Sequence, residues 1–257
     1  MATSIGTLAW VRETGGRMRP RDVLGQLGRA LVDQARLFPP QLLFRLGLSR
    51  PRPLALDPRD IKAPDSRVAL EAEQMCREAA PPFLLNHCLR TYLWGRLLAA
   101  ANGLTLDDEL FYVASLLHDQ GLIDKYAGPE PGVECFTLIS AGAARNLAGK
   151  SGWPQARQDA LSESITLHLN VRVGLENGTE AHLLNASTVV DVLGLRLWEI
   201  PAEARAAVLE RYPRLGVKKG IAERWTEEGR VRPHGRARFL SRYLLFDLLV
   251  RMAPYRE

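Results

Sequence analysis

From Asp65 onward the chain is a succession of apolar positions recurring every three or four residues, each run closed by a helix-stopping signal. Nowhere do apolar and polar residues alternate long enough to build a strand. Segments patterned this way bury their apolar stripes only by packing helix on helix, so the expected fold is all-α. With 257 residues, there is ample chain for a large core.

The helical runs have legible ends. Ser66 is placed to cap RVALEAEQMCREAA, which stops before Pro81 and Pro82. PFLLNHCLRTYLWGRLLAAANG closes at Asn102-Gly103, and Thr105 is expected to cap LDDELFYVASLLHDQG, with Gly121 ending it. CFTLISAGAARNLAG, QARQDALSESITLHLN and AHLLNASTVVDVLG read as three further helices, followed by PAEARAAVLERY and HGRARFLSRYLLFDLLVRM. Ahead of this body the first twenty residues read as irregular. Val23, Leu24, Leu27, Ala30 and Leu31 then mark an amphipathic helix from Arg21 to about Phe38, stopped by Pro39-Pro40. A proline-punctuated connector, SRPRPLALDPRD, puts the boundary near Ile61. Residues 1–62 are therefore expected to be a basic extension bracing the body, and 63–257 the functional domain.

Charge supports the same division. The formal net charge of +5 splits into +6 for residues 1–62 and −1 for the remainder. The body thus has no basic face to follow a phosphate backbone, and nucleic acid is not expected as a partner. No apolar run reaches the roughly 18 residues of a membrane span, so stable membrane insertion is not expected. The N-terminus lacks the layout of a signal peptide, and three cysteines (Cys76, Cys88, Cys135) cannot close a disulfide framework. The expected location is cytoplasmic, with a homo-oligomer compatible with the sequence.

Chemistry concentrates in a few of the five histidines. LFYVASLLHDQG delivers His118 and Asp119 side by side at the end of a strongly apolar helix. Adjacent helical residues point about 100° apart, so both reach one point only near the helix end. His87 lies within FLLNHCLRTYLWG and Asp191 within STVVDVLGL, both polar groups in apolar surroundings that cost free energy unless bonded or ligated. Gathered around one cation, His87, His118, Asp119 and Asp191 would offset one another's burial. Two nitrogens and two carboxylates suit Zn²⁺, and also Fe²⁺ or Mn²⁺.

In that order, His87, His118-Asp119 and Asp191, the chain resembles the HD-domain superfamily of metal-dependent hydrolases. More narrowly it resembles the cyanamide hydratase-like branch. That likeness is carried by APDS at 63–66, PPFLLNHCLRTYLWGRLLA at 81–99, LDDELFYVASLLHDQGL at 106–122, ALSESITLHLN, EAHLLNASTVVDVLGL, and YPRLGVKKGI at 212–221. It implies an HD-type helical bundle holding a divalent metal that activates water, and a small-molecule substrate.

Some HD enzymes place extra histidines between the His-Asp pair and the last Asp. Here only His168 and His182 are available, and His182 falls about 180° from Asp191 on one helix. One metal is therefore expected, with His168 as general acid/base and Asp119 assisting. Arg90 and Thr91 follow His87 on the same face and are candidate substrate contacts, although Arg90 equally suits a structural ion pair. Phe136 and Thr137 occupy a segment that lines the pocket in the branch, where Ser140 and Ala141 stand in place of an acidic residue. That departure points away from cyanamide to a larger or less polar substrate. Cys88 reads as core and His234 as a surface loop residue. Two alternative activities are a nucleotide phosphohydrolase and an iron-dependent oxygenase; a third reading is a non-catalytic descendant of an HD enzyme.

Overall fold

The computed structural model describes residues 4–257. Among these residues there are twelve α-helices and no strand, as the patterning demands. The N-terminal part holds α1 (Leu8–Thr14) and α2 (Pro20–Arg45). The body follows as α3 (Arg67–Ala79), α4 (Pro82–Asn102), α5 (Asp108–Leu117), α6 (Phe136–Lys150), α7 (Gln155–Leu167) and α8 (Thr179–Leu193). After it come α9 (Ala202–Arg211), α10 (Val217–Val231), α11 (Arg236–Leu244) and α12 (Phe246–Met252).

α4 and α5 are the axis of the molecule. α4 is buried nearly all round, from Leu84 to Ala99, because its apolar residues leave no polar face to turn to water. It packs on α8 and α5, and Gly95 makes that approach feasible: a Cβ there would enter the Phe111 ring of α5. The core around these helices includes Tyr92, Trp94, Leu97, Phe111, Leu161 and Leu183. No helix among the described residues is long and apolar enough to cross a membrane.

The local signals are only partly right. Ser66 caps α3 through the Ala69 amide, and Gly103, in the left-handed region, closes α4. The cap of α5 is Asp107, whose carboxylate accepts from the Leu110 amide, and not Thr105. The helix ends at Leu117, before Gly121. Gly121 instead sits in a 3₁₀ turn, Gln120–Leu122, pressed against the start of α6: a Cβ would meet the Phe136 carbonyl oxygen. Its amide donates to Ser140 Oγ at 2.9 Å, so Ser140 is a buried brace of the turn.

The extension departs further. Residues expected to be irregular include α1, capped by Thr7 and anchored by buried Trp10 and Val11; seven residues are too few to show a period. α2 runs through Pro39 and Pro40 to Arg45. Those prolines leave the carbonyls of Ala35 and Arg36 without helical partners, but both residues are exposed and water satisfies them. Toward the C-terminus, α10 was not anticipated, and Leu245, with φ 54°, splits the last predicted helix into α11 and α12.

Because the Gly121 turn leaves no room for a methyl, Gly121→Ala is expected to destabilise the fold by about 1–3 kcal/mol through overpacking. Gly28→Ala on exposed α2, where a Cβ meets nothing within 4 Å, should stabilise it by about 0.4–1 kcal/mol. Urea denaturation of the two variants measures both.

Candidate metal centre

Two helices end at the same place. His118 is the residue that closes α5 and His168 the one that closes α7. Each ring turns its Nδ1–H back onto the carbonyl three residues earlier, Ser115 at 2.8 Å and Ile165 at 2.6 Å. Beyond His118 the chain leaves the helix: Asp119 has φ −107° and ψ 14°, which swings its carboxylate toward the His118 ring. This departure from helical geometry is how neighbouring side chains converge. His87 arrives from α4, its Nδ1 donating to Asp191 Oδ2 at 2.7 Å.

The three outward partners (two carbonyls and a carboxylate) can only accept, so each Nδ1 carries the proton and each Nε2 presents a lone pair. Those lone pairs face one another. His87 Nε2 and His118 Nε2 are 3.2 Å apart, and Asp119 Oδ2 lies 3.3 Å from His118 Nε2 and 3.5 Å from His87 Nε2. His168 Nε2 is 3.7 Å from Asp119 Oδ1, its ring edge-on to His118 with centroids 4.9 Å apart. Two neutral imidazole nitrogens have no hydrogen to share across 3.2 Å. Donors about 2.1 Å from one tetrahedral ion stand roughly 3.4 Å apart, and this donor set fits a divalent metal.

Electrostatics agree. The C-terminal ends of α5 and α7 carry partial negative charge toward the centre. Burial opposes protonation of His118, yet Asp119 and the Ser115 carbonyl outweigh it and raise its pKa; the field that favours a proton there also favours a cation. Burial dominates at His87, lowering its pKa despite Asp191. It dominates at His168 too, where burial and the His118 ring push the pKa down to about 3. Asp119 is driven the other way: burial raises its carboxyl, and the surrounding imidazoles hold it well below the usual carboxylate range. Among the described residues, His87, His118 and Asp119 are the group whose donor atoms lie within 4.8 Å of one another.

Asp191, expected as a fourth ligand, is placed behind His87 instead. It is fully buried and its oxygens are occupied. Oδ1 accepts from Arg90 Nε and Trp94 Nε1, both at 2.7 Å, and Oδ2 from Arg90 Nη2 at 2.8 Å and His87. Burial works to raise its pKa, but Arg90 and His87 hold it well below the ordinary value. Arg90 in turn spends Nη1 on the Tyr212 and Pro213 carbonyls, so it has a structural ion pair and no reach toward a substrate.

A cavity of about 520 Å³ opens from the centre, lined by His87, His118, Asp119 and His168 at its polar end. None of the four expected substrate contacts lines it. Arg90 is held by Asp191, and Thr91 is wholly buried. Phe136 packs beneath His168, with ring centroids 5.9 Å apart, and Thr137 is engaged by Arg236 at 2.7 Å. The wall comes from residues sequence reasoning missed, among them Thr188, Trp225, Leu240 and Phe246, with Leu27 and Leu31 of α2 as a roof. Apolar stripes left over on α2 and on the C-terminal helices were the available signal. His182 is elsewhere, its Nδ1 bonded to the Val173 carbonyl, and Cys88 is buried in the core. His234 is exposed in the loop before α11.

No protein-family model matches the chain. Two curated relatives do: the cyanamide hydratases DDI2 and DDI3 of Saccharomyces cerevisiae. Each is 28% identical over 172 residues, covering 65% of this chain and 73% of the relative. At this identity the chain is similar to cyanamide hydratases.

Removing one member of a buried ion pair strands the other. Asp191→Asn is therefore expected to destabilise the protein by about 3–5 kcal/mol, read by urea denaturation, by leaving the Arg90 guanidinium uncompensated. Trp94→Phe, which removes one neutral-donor bond to the same carboxylate, should cost roughly 1–3 kcal/mol.

Proposed function

We propose that this chain is a metal-dependent hydratase or hydrolase of the HD type, in which one divalent ion activates water against a small organic substrate. The observation that carries the reading is the convergence of His87 Nε2, His118 Nε2 and the Asp119 carboxylate at the closed end of a cavity, with each imidazole locked by an acceptor behind it. The names of the yeast relatives support a hydratase.

His87, His118 and Asp119 would hold the ion, and three protein donors with an open position are the pattern of a catalytic zinc site. Zn²⁺ is the proposed metal, with Fe²⁺ and Mn²⁺ compatible with the donors. Such an ion lowers the pKa of water toward neutrality and stabilises charge that develops on the substrate. Asp191, Arg90 and Trp94 orient His87 and fix its tautomer. His168 is neutral at physiological pH, and its Nε2 is free to take a proton while Nδ1 stays on Ile165. It would pass a proton on from water to the substrate nitrogen as the new carbon–oxygen bond forms, its low basicity favouring release of the proton. For a nitrile the overall change is R–C≡N plus water giving R–C(=O)NH₂, with no oxidant or reductant.

A phosphate substrate calls for arginine or lysine in the pocket, and no Lys or Arg lines this cavity. A dinuclear iron centre needs a further histidine, and His182 lies outside the cavity.

Metal analysis of protein purified without chelators should give about one divalent ion per chain. His118→Ala and Asp119→Ala should lose it. Absence of metal from the wild type overturns the reading, and two irons would favour the oxygenase. His168→Ala should keep its metal and lower kcat about 10²–10⁴-fold on a hydrated nitrile or amide substrate. Full activity in that variant would remove His168 from the mechanism.

A further inference from the structure

The cavity is divided along its length. His87, His118, Asp119 and His168 gather at one end, each with a donor atom within 3.7 Å of a neighbour's. The rest of the wall is mainly apolar, with Val189 and Val192 of α8, Ile221 and Trp225 of α10, Leu240 of α11 and Phe246 of α12, and its other polar members are Asp33, Gln34, Asn170, Thr188 and Tyr243. The roof has the same character. Leu27, Ala30, Leu31, Gln34 and Leu37 follow the i, i+3, i+4, i+7 stripe of α2 and face the cavity. α2 buries only Asp22 and Gln26, and Leu31 stays 74% exposed. The apolar stripe of this helix, which the sequence marks for packing on the body, is aimed at a space instead of a core.

A substrate of three heavy atoms such as cyanamide occupies roughly two water volumes, ~60 Å³. Against about 520 Å³ it would leave most of the cavity to water that has apolar walls and few hydrogen-bonding partners. Specific small-molecule sites fill their apolar walls with ligand and reserve the few polar groups for orientation. With no Lys or Arg in the wall, the cavity offers no cation to an anionic tail, and the Asp33 carboxylate at the roof already faces Arg172 at 3.6 Å.

We infer that the substrate is amphipathic: a small nitrile- or amide-like head at His87, His118, Asp119 and His168, carrying an uncharged apolar body, alkyl or aryl, along α8, α10–α12 and the α2 roof. At the same ~20 Å³ per heavy atom, a body on the order of ten heavy atoms takes ~200 Å³ and leaves the open mouth to water. The identity of the head rests on the metal-hydratase reading. The body does not, because it follows from the walls alone.

Straight-chain primary amides from acetamide to octanamide, titrated into the metal-loaded protein by calorimetry, test this without turnover. The association constant should rise about fourfold per added methylene, the equivalent of roughly 0.8 kcal/mol per buried methylene. Val189→Phe, a half-buried wall position on α8, should flatten the series beyond the shortest chains, and Leu31→Asp on the exposed roof should lower its slope. Both variants should keep wild-type metal content and melting temperature. An association constant independent of chain length overturns the inference, and so does an undiminished slope in Val189→Phe with unchanged melting. A steep series in a protein that holds no metal and hydrates no nitrile would sink the hydratase reading and leave this one standing. Hydration of cyanamide with a flat series would do the reverse.

Discussion

The carboxylate of Asp191 is the junction on which the site depends. It lies fully buried on α8 and is satisfied almost entirely from one face of α4, by His87, Arg90 and Trp94, residues i, i+3 and i+7. An ionised carboxylate in such a place is tolerable only when each oxygen has strong donors. The requirement sets how α4 and α8 are rotated against each other, and that rotation sets where His87 Nε2 points. The junction extends to the C-terminus. Arg214 donates to the Asp191 carbonyl at 2.8 Å and to Glu257 at 2.9 Å, while the Tyr255 hydroxyl donates to Val190 at 2.6 Å. The tail of the chain thus seals the back of the site.

The front is assembled from helix ends. His118 and His168 occupy equivalent positions at the ends of α5 and α7, each pinned by the carbonyl three residues earlier. One local solution is used twice, and it sets two imidazoles edge-on, His118 Nε2 toward His87 and Asp119 Oδ2 and His168 Nε2 toward Asp119 Oδ1. Helix C-termini add a negative field, Asp119 adds a charge, and Gly121 allows the following turn to lie against Phe136. These features favour a cation at the centre, whereas the cavity beyond it holds no Lys or Arg and is mainly apolar.

Reading the sequence was most successful where burial and chemistry conflict within one short stretch. An imidazole among Leu84, Leu85 and Leu89, and a His-Asp pair after VASLL, are conspicuous because an apolar helix has no other use for them. The role of Asp191 was less legible. Its burial was evident, but whether it meets His87 from the front or from behind depends on the turn of α8 against α4, which no local pattern records. Arg90 is the same case seen from the other side: the sequence admits an ion pair or a substrate contact, and the Asp191 carboxylate decides for the pair. Thr91 was assigned to the pocket by its helical spacing from His87, and Phe136 and Thr137 by resemblance; packing buries all three.

By itself the sequence determined the helical class, most of the helix spans in the body, the basic bias of the extension and the residues able to carry chemistry. Each of these is written in local periodicity, capping residues, or a polar group in an apolar run. Tertiary structure decided the rest. It carried α2 through two prolines, because solvent satisfies the freed carbonyls. It set Asp191 behind His87 and drew a cavity wall from α2, α8 and α10–α12, segments far apart in the chain. Which faces meet is a property of packing among all the helices at once, and no window of sequence contains it.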